Sequence, residues 1–163
     1  SLNDIANEID LNQIARAPAR FSMNQLSRLN SDILSRLDIE TVSERLKSND
    51  IIFDQKIWDV IKSNIRNINE YKEWYEIING SIKVENLDQD FINLTESLLP
   101  PEPWDDSTWG DWISLIKKSS DKKGKDLFLP LRRAITGLSD GPELKNIILL
   151  MGYDKMKTRL LGS

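Results

Sequence analysis

The residues of this chain best equipped for chemistry lie between Lys117 and Lys145. They are cations and turn formers rather than nucleophiles. Eight basic residues (Lys117, Lys118, Lys122, Lys123, Lys125, Arg132, Arg133, Lys145) stand there against four acids (Asp121, Asp126, Asp140, Glu143). A local basic face of this kind attracts polyanions even on an acidic protein. Leu127, Leu131, Ile135 and Leu138 recur at helical spacing, which predicts one buried helix face. Arg132 and Arg133 fall off that face, toward solvent or a ligand. Thr136-Gly137 predicts a helix C-cap, Leu138–Gly141 a short loop, and Pro142 the first position of a new helix. Glu143 then falls in a first turn that favours negative charge. The unpaired N–H groups of such a helix start can bind phosphate or base edges. Beside them, Pro142 and Leu144 offer an apolar surface to an unstacked base, as single-stranded RNA requires. The competing reading is a protein-interaction module that docks an acidic partner through Lys117–Arg133 and binds no RNA.

Composition narrows the chemistry further. The chain has 163 residues, 39% hydrophobic and 29% charged, with a net charge of −4 and neither His nor Cys. The missing His excludes Ser-His-Asp and Cys-His machinery and His-containing zinc sites. The missing Cys excludes disulfides and thiolate metal sites. No glycine-rich phosphate loop is present, and no carboxylate pair has a spacing that marks it for acid–base work. No apolar run is long enough to span a bilayer. A cytoplasmic monomer, with no cofactor or metal in this chain and no membrane partner, is expected. The acidic balance argues against non-specific nucleic-acid binding, which depends on a positive field.

The elements that must position these residues read as helices throughout. Leu2, Ile5, Ile9, Leu11 and Ile14 predict one or two short helices before Pro18. Ser22 is placed to cap a helix carrying Leu26, Leu29, Ile33, Leu34 and Leu37. Asp38 or Thr41 begins another with Val42 and Leu46. Ile51–Phe53 reads as a packed connector. Ile57, Ile61, Ile65 and Ile68 form a helical stripe, and Tyr71, Trp74, Tyr75 and Ile78 a second one ending at Asn79-Gly80. Leu87, Phe91, Leu94 and Leu98 follow, then a stiff Pro100–Pro103 break. Trp109 and Trp112 sit at helical spacing and read as core, whereas Trp104 is open to either role. The chain finishes with two short helices, the last carrying Met156, Leu160 and Leu161. The fold class is all-α.

Two stretches resemble the bacterial glutamyl-tRNA synthetases. Ala19-Arg20-Phe21 with Gln25-Leu26 and Leu29-Asn30 is similar to the pattern that follows the catalytic core of that family. The second stretch starts with Lys123-Gly124-Lys125-Asp126-Leu127-Phe128-Leu129-Pro130-Leu131-Arg132. It continues through Ala134-Ile135-Thr136-Gly137 to Gly141-Pro142-Glu143-Leu144, and is similar to the signature of the anticodon-binding region. The order and separation of the two stretches also fit. The family's two catalytic signatures are not matched. One needs His. The other is imitated only by Lys155-Met156-Lys157-Thr158-Arg159, which lies after the anticodon stretch and reads as a final helix with solvated Lys and Arg.

The resemblance implies the C-terminal part of a glutamate–tRNA ligase. The longer protein would attach glutamate to tRNA with ATP, and this part would be inactive alone. It implies a stem-contact remnant over 1–27 and two small helical subdomains, 28–82 and 83–163, forming an anticodon-binding α-helix cage. Composition would divide the chain at Pro100–Pro103. The family pattern favours Asn79-Gly80-Ser81. In this reading Arg132 meets an anticodon base, Pro142 and Leu144 pack on bases, and Thr136, Gly137 and Gly141 set the turn. Lys123, Lys125 and Arg133 contact phosphate. Lys62, Asn64 and Arg66 are the candidates for reading the third anticodon base. The implied partners are glutamate-acceptor tRNA, with glutamine-acceptor tRNA as a second candidate, and the family's own catalytic domain.

Overall fold

The computed structural model describes residues 22–48, 51–85 and 87–162. The predicted helices before Pro18, the Ala19–Phe21 motif and most of the 1–27 segment lie outside them. The described residues form eight helices and no strand. These are α1 (Met23–Arg36), α2 (Ile39–Lys47), α3 (Gln55–Ile61), α4 (Glu70–Asn79), α5 (Gln89–Ser97), α6 (Thr108–Ser119), α7 (Lys125–Thr136) and α8 (Leu144–Leu161). The last is kinked at Gly152, where the backbone leaves helical values, so it serves as the two short helices expected.

Aspartates start three of these helices. Asp38 accepts the Thr41 N–H, Asp54 those of Lys56 and Ile57, and Asp88 that of Phe91. Each satisfies N–H groups that the helix itself leaves unpaired. Tyr71 ties α4 to the start of α3, its hydroxyl accepting the Asp54 N–H at 2.6 Å. Burial pushes the Tyr71 phenol above its usual pKa.

The core gathers the predicted stripes around α8, which packs on α3, α4, α5 and α7. Trp58, Ile61, Tyr71, Ile78, Ile92, Trp112, Leu127, Leu131, Ile135, Ile147 and Ile148 are all buried. The Trp112 indole N–H donates to the Thr95 carbonyl at 2.9 Å, which satisfies its one polar atom in the core.

Four expectations are corrected. The isoleucine stripe is not one helix: α3 ends at Ile61, and Ile65 is buried from the connector that follows. That connector is rich in Asn, whose side chains compete with helical backbone bonds. Asn67 Oδ1 accepts the Asn69 N–H at 3.0 Å. On α1 only Leu34 is buried, and Leu26, Leu29 and Ile33 are exposed. The helix is joined to the α3–α4 connector by polar bonds instead, Ser31 Oγ donating to the Ile65 carbonyl at 2.9 Å and Asn30 to the Arg66 carbonyl. Leu138 is exposed, because Gly137 ends α7 before it.

The fourth correction is Arg159, which is buried rather than solvated. Its guanidinium donates to the carbonyls of Ile135 at 2.5 Å, Ile77 at 2.7 Å and Gly80 at 2.8 Å. These are terminal carbonyls of α7 and α4, groups without intrahelical partners at the negative ends of two helix dipoles. Burial lowers the Arg159 pKa from its ordinary value.

Candidate nucleic-acid interface

The site is built on the outer face of α7. Its inner face buries Leu127, Leu131, Ala134 and Ile135. The opposite side carries Lys125, Phe128, Arg132 and Arg133, the last exposed. Gly137 closes the helix in the left-handed region at φ 75°, its N–H donating to the Arg133 carbonyl at 2.8 Å. Thr136 is buried. Its hydroxyl donates to the Arg132 carbonyl at 2.8 Å and accepts the Leu138 N–H at 3.2 Å, which fixes the direction in which the chain leaves the helix.

The turn comes back to Arg132. Arg132 Nη1 donates to the Pro142 carbonyl at 2.9 Å. Burial lowers the guanidinium pKa while the nearby Asp140 carboxylate opposes that shift, and at neutral pH the group is charged. One of its five N–H donors is occupied by this bond. Pro142 is buried and lies before the helix, since α8 begins at Leu144 with Glu143 as its cap. The expected first helical position is therefore corrected by two residues. The proline ring is packed inward and its carbonyl, not its face, meets Arg132. Leu144 is also buried, but it lines an open groove of about 360 Å³ together with Trp109, Phe128, Arg132, Glu143 and Lys145.

Not every cation of the basic stretch is equally placed. Lys122 pairs with Asp88 at 2.9 Å and covers the Phe91 ring. Lys145 pairs with Asp106 at 3.1 Å. Lys123, Lys125 and Arg133 are exposed and enter no ion pair among the described residues. Thr136, Gly137, Gly141, Pro142 and Leu144 are thus brought together with Arg132 around one turn, with exposed cations at both ends of α7.

The third-base candidates occupy a separate connector, between α3 and α4. Lys62 pairs with Asp59 at 2.9 Å. Asn64 is exposed, its backbone N–H held by the Ile61 carbonyl at 2.7 Å. Arg66 is exposed and lines a groove of about 470 Å³ with Leu26, Ser27, Asn30, Asn67 and Glu70. Among the described residues no cluster of acids could hold a metal ion, and no helix is long and apolar enough to cross a membrane.

Sequence reasoning missed two groups here. The spacing reads Trp109 as core, but it is half-buried and faces the groove, while Trp112 on the same helix is the core residue. The helical stripe does not single out Phe128. Its signal was its position off the Leu127–Leu131–Ile135 stripe, where a large ring has no reason to be buried.

A family model described as an anticodon binding domain matches residues 25–162. The chain is 35% identical over 162 residues to glutamate–tRNA ligase 1 of Parvibaculum lavamentivorans, covering 99% of this chain and 36% of that protein. It is 37% identical over 164 residues to glutamate–tRNA ligase 2 of Xanthobacter autotrophicus, again covering 99% and 36%. Its fold matches the crystal structure of a glutamate–tRNA synthetase from Elizabethkingia anophelis with a TM-score of 0.69 at 17% identity, over 99% of this chain and 35% of that one. The chain therefore spans about a third of the length of the curated relatives it matches. With a match that runs through α1 to α8 and takes in the whole Arg132–Leu144 turn, the chain belongs to the anticodon-binding domain family.

Proposed function

We propose that this chain is the anticodon-reading part of a glutamate–tRNA ligase, with tRNA as its ligand. The observation that carries this reading is the turn pinned by Arg132 to the Pro142 carbonyl, within a stretch that the anticodon-binding family matches. A helix start, a fixed guanidinium with donors to spare and exposed cations on the same helix are what a single-stranded loop requires. Arg132 reads a base. Leu144 and the first backbone N–H groups of α8 complete its surroundings, and Thr136, Gly137 and Gly141 hold the turn in shape. Pro142 contributes its carbonyl in this conformation. Lys123, Lys125 and Arg133 neutralise phosphates. Among the third-base candidates, Arg66 combines an exposed guanidinium with a lined groove, and it is the one we favour. The two helical subdomains meet at the connector after Asn79, where α4 ends.

Glutamate activation, its ATP and catalysis belong to the part of the longer relatives that this chain does not span. The protein acts in the cytoplasm as a monomer, and the chain by itself attaches no glutamate. Filter binding tests the reading. The chain is titrated with glutamate tRNA, and with the same tRNA carrying a changed anticodon, at two salt concentrations. Preference for the unaltered anticodon that survives the higher salt is expected. Equal, salt-labile binding to both would reduce the site to a basic patch.

A further inference from the structure

We propose that Trp109 and Phe128 form an aromatic platform on which one unpaired base of the anticodon loop stacks beside Arg132. The proposal rests on the anticodon-reading function above and assigns it two residues outside the turn.

The two rings come from different helices, α6 and α7. Their centroids are 6.2 Å apart at an interplanar angle of 31°. Trp109 packs edge-to-face with the buried Trp112, 5.9 Å away at 69°. Phe128 is 36% exposed, although the neighbouring Leu127 is fully buried. A ring this size left at the surface and backed by a second ring is a preorganised stacking surface. Phe128 and Arg132 are four residues apart on α7, so ring and guanidinium stand on one side of the helix. The groove they share with Trp109, about 360 Å³, lies at the low end of the ~300–1,000 Å³ that small-ligand sites occupy.

The charges around the rings select the occupant. Lys117 Nζ lies 5.9 Å from the centre of the Phe128 ring, and Arg132 borders the same groove. Lys145 stands at its rim, tied to Asp106. Glu143 is the one acid that lines it. An apolar surface with Lys117 over the Phe128 ring and Arg132 and Lys145 lining the same groove suits a planar base and its phosphates, because base and backbone are met by different groups. Every base has a π-face, so the platform supplies affinity and leaves sequence reading to Arg132.

The test uses the full chain and fluorescein-labelled RNA hairpins bearing the glutamate anticodon loop, either complete or made abasic at one loop position at a time. Binding is read by anisotropy and folding by thermal unfolding. Trp109→Leu and Phe128→Leu are expected to bind the complete hairpin about five- to hundredfold more weakly. Trp109→Phe keeps a ring and is expected to stay within about threefold. The deficit of the leucine variants should vanish on the hairpin that lacks the seated base. Phe128 is exposed enough for its leucine variant to fold, so it carries the test if Trp109→Leu unfolds. Leucine variants that bind like the unaltered chain overturn the platform while leaving anticodon reading in place. A deficit equal on every abasic hairpin also overturns it. An unaltered chain that binds none of the hairpins overturns platform and anticodon reading together.

Discussion

Trp74 of α4 lies against Gly141 of the α7–α8 turn so closely that a Cβ there would sit 2.6 Å from the indole Cζ2. The backbone of Gly141 also stands at φ 131°, a region that L side chains rarely adopt. Trp74 belongs to the Tyr71–Ile78 stripe of α4, and Gly141 belongs to the turn that Arg132 closes. The turn is therefore backed by a buried ring from a distant part of the sequence. Its shape is set by tertiary packing as well as by its own residues.

Gly141→Ala meets both obstacles at once, the disfavoured φ and the indole. It is expected to cost about 1–3 kcal/mol of stability, measured by urea unfolding. Trp74→Leu in the same background relieves the overlap but not the backbone. A double-mutant cycle should then show a favourable coupling of roughly 0.5–3 kcal/mol. Additive costs would mean that the two residues do not constrain each other.

Arg132→Ala removes both the bond to the Pro142 carbonyl and the donors proposed to meet an anticodon base. Cognate tRNA binding should weaken by about 1–3 kcal/mol with relaxed preference at one anticodon position. Leu131→Ala, one residue away on the buried face, should act on the fold instead, with a loss of roughly 2–5 kcal/mol in unfolding free energy. Filter binding beside a helical circular-dichroism melt separates the two. Unchanged tRNA binding by Arg132→Ala would refute its role.

The phosphate contacts proposed for Lys123 and Lys125 predict a different signature. Lys125→Ala and Lys123→Ala should weaken cognate and anticodon-altered tRNA by equal factors. Each should make the slope of log affinity against log salt shallower by about 0.7–1. Lys122→Ala, whose charge is already engaged by Asp88, should change the slope less. A sequence-dependent effect of Lys125→Ala would mean that it reads a base.

What the sequence revealed and what it hid follow from the range of each interaction. The α7 stripe from Leu127 to Ile135, the Gly137 cap and the Asp38 helix start depend on neighbours within a few residues, and they were legible. Ile65 reads as helical because it stands four residues after Ile61. The Asn-rich connector places it in the core by another route. Trp109 and Trp112 share one helix and one period, and only the Thr95 carbonyl and Phe128, both distant in sequence, decide which is core. At the site, the residues of the turn could be named but the inward packing of Pro142 could not, because the turn is held by Arg132 at the Pro142 carbonyl and by Trp74 against Gly141, both outside it. Arg159 read as a solvated cation, since nothing local announces two helix ends converging on it.

The Asp38 cap predicts an acid response. The Asp38 carboxylate accepts the Thr41 N–H at 2.7 Å, and that backbone bond chiefly holds its pKa below the ordinary value. A depressed folded pKa contributes stability that is complete above the unfolded pKa of about 3.9 and is lost as pH falls through the folded value. Thermal midpoints should therefore fall as pH drops below about 4. Asp38→Asn keeps a good cap at neutral pH and no longer titrates, so its acid loss should be shallower. Parallel pH curves for the two proteins would show that this cap is not part of the response.

Arg159 gives the sharpest prediction for the fold. Its side chain joins the end of α4, through Ile77 and Gly80, to the end of α7, through Ile135. α7 is the helix that carries Arg132. Arg159→Met fills much of the space but leaves three carbonyls at two helix ends without their donor. Each unsatisfied buried group costs about 1–3 kcal/mol, and water can reach the Gly80 side, so a total loss of about 2–4 kcal/mol is expected by urea unfolding. Arg159→Lys should recover little, because a single ammonium on a flexible stem cannot span carbonyls from two helices as the planar guanidinium does. The tRNA affinity of any Arg159→Met that remains folded should fall with the order of α7, although Arg159 itself touches no ligand. Full stability in the lysine variant would show that charge alone, rather than the fork of donors, holds the two helix ends together.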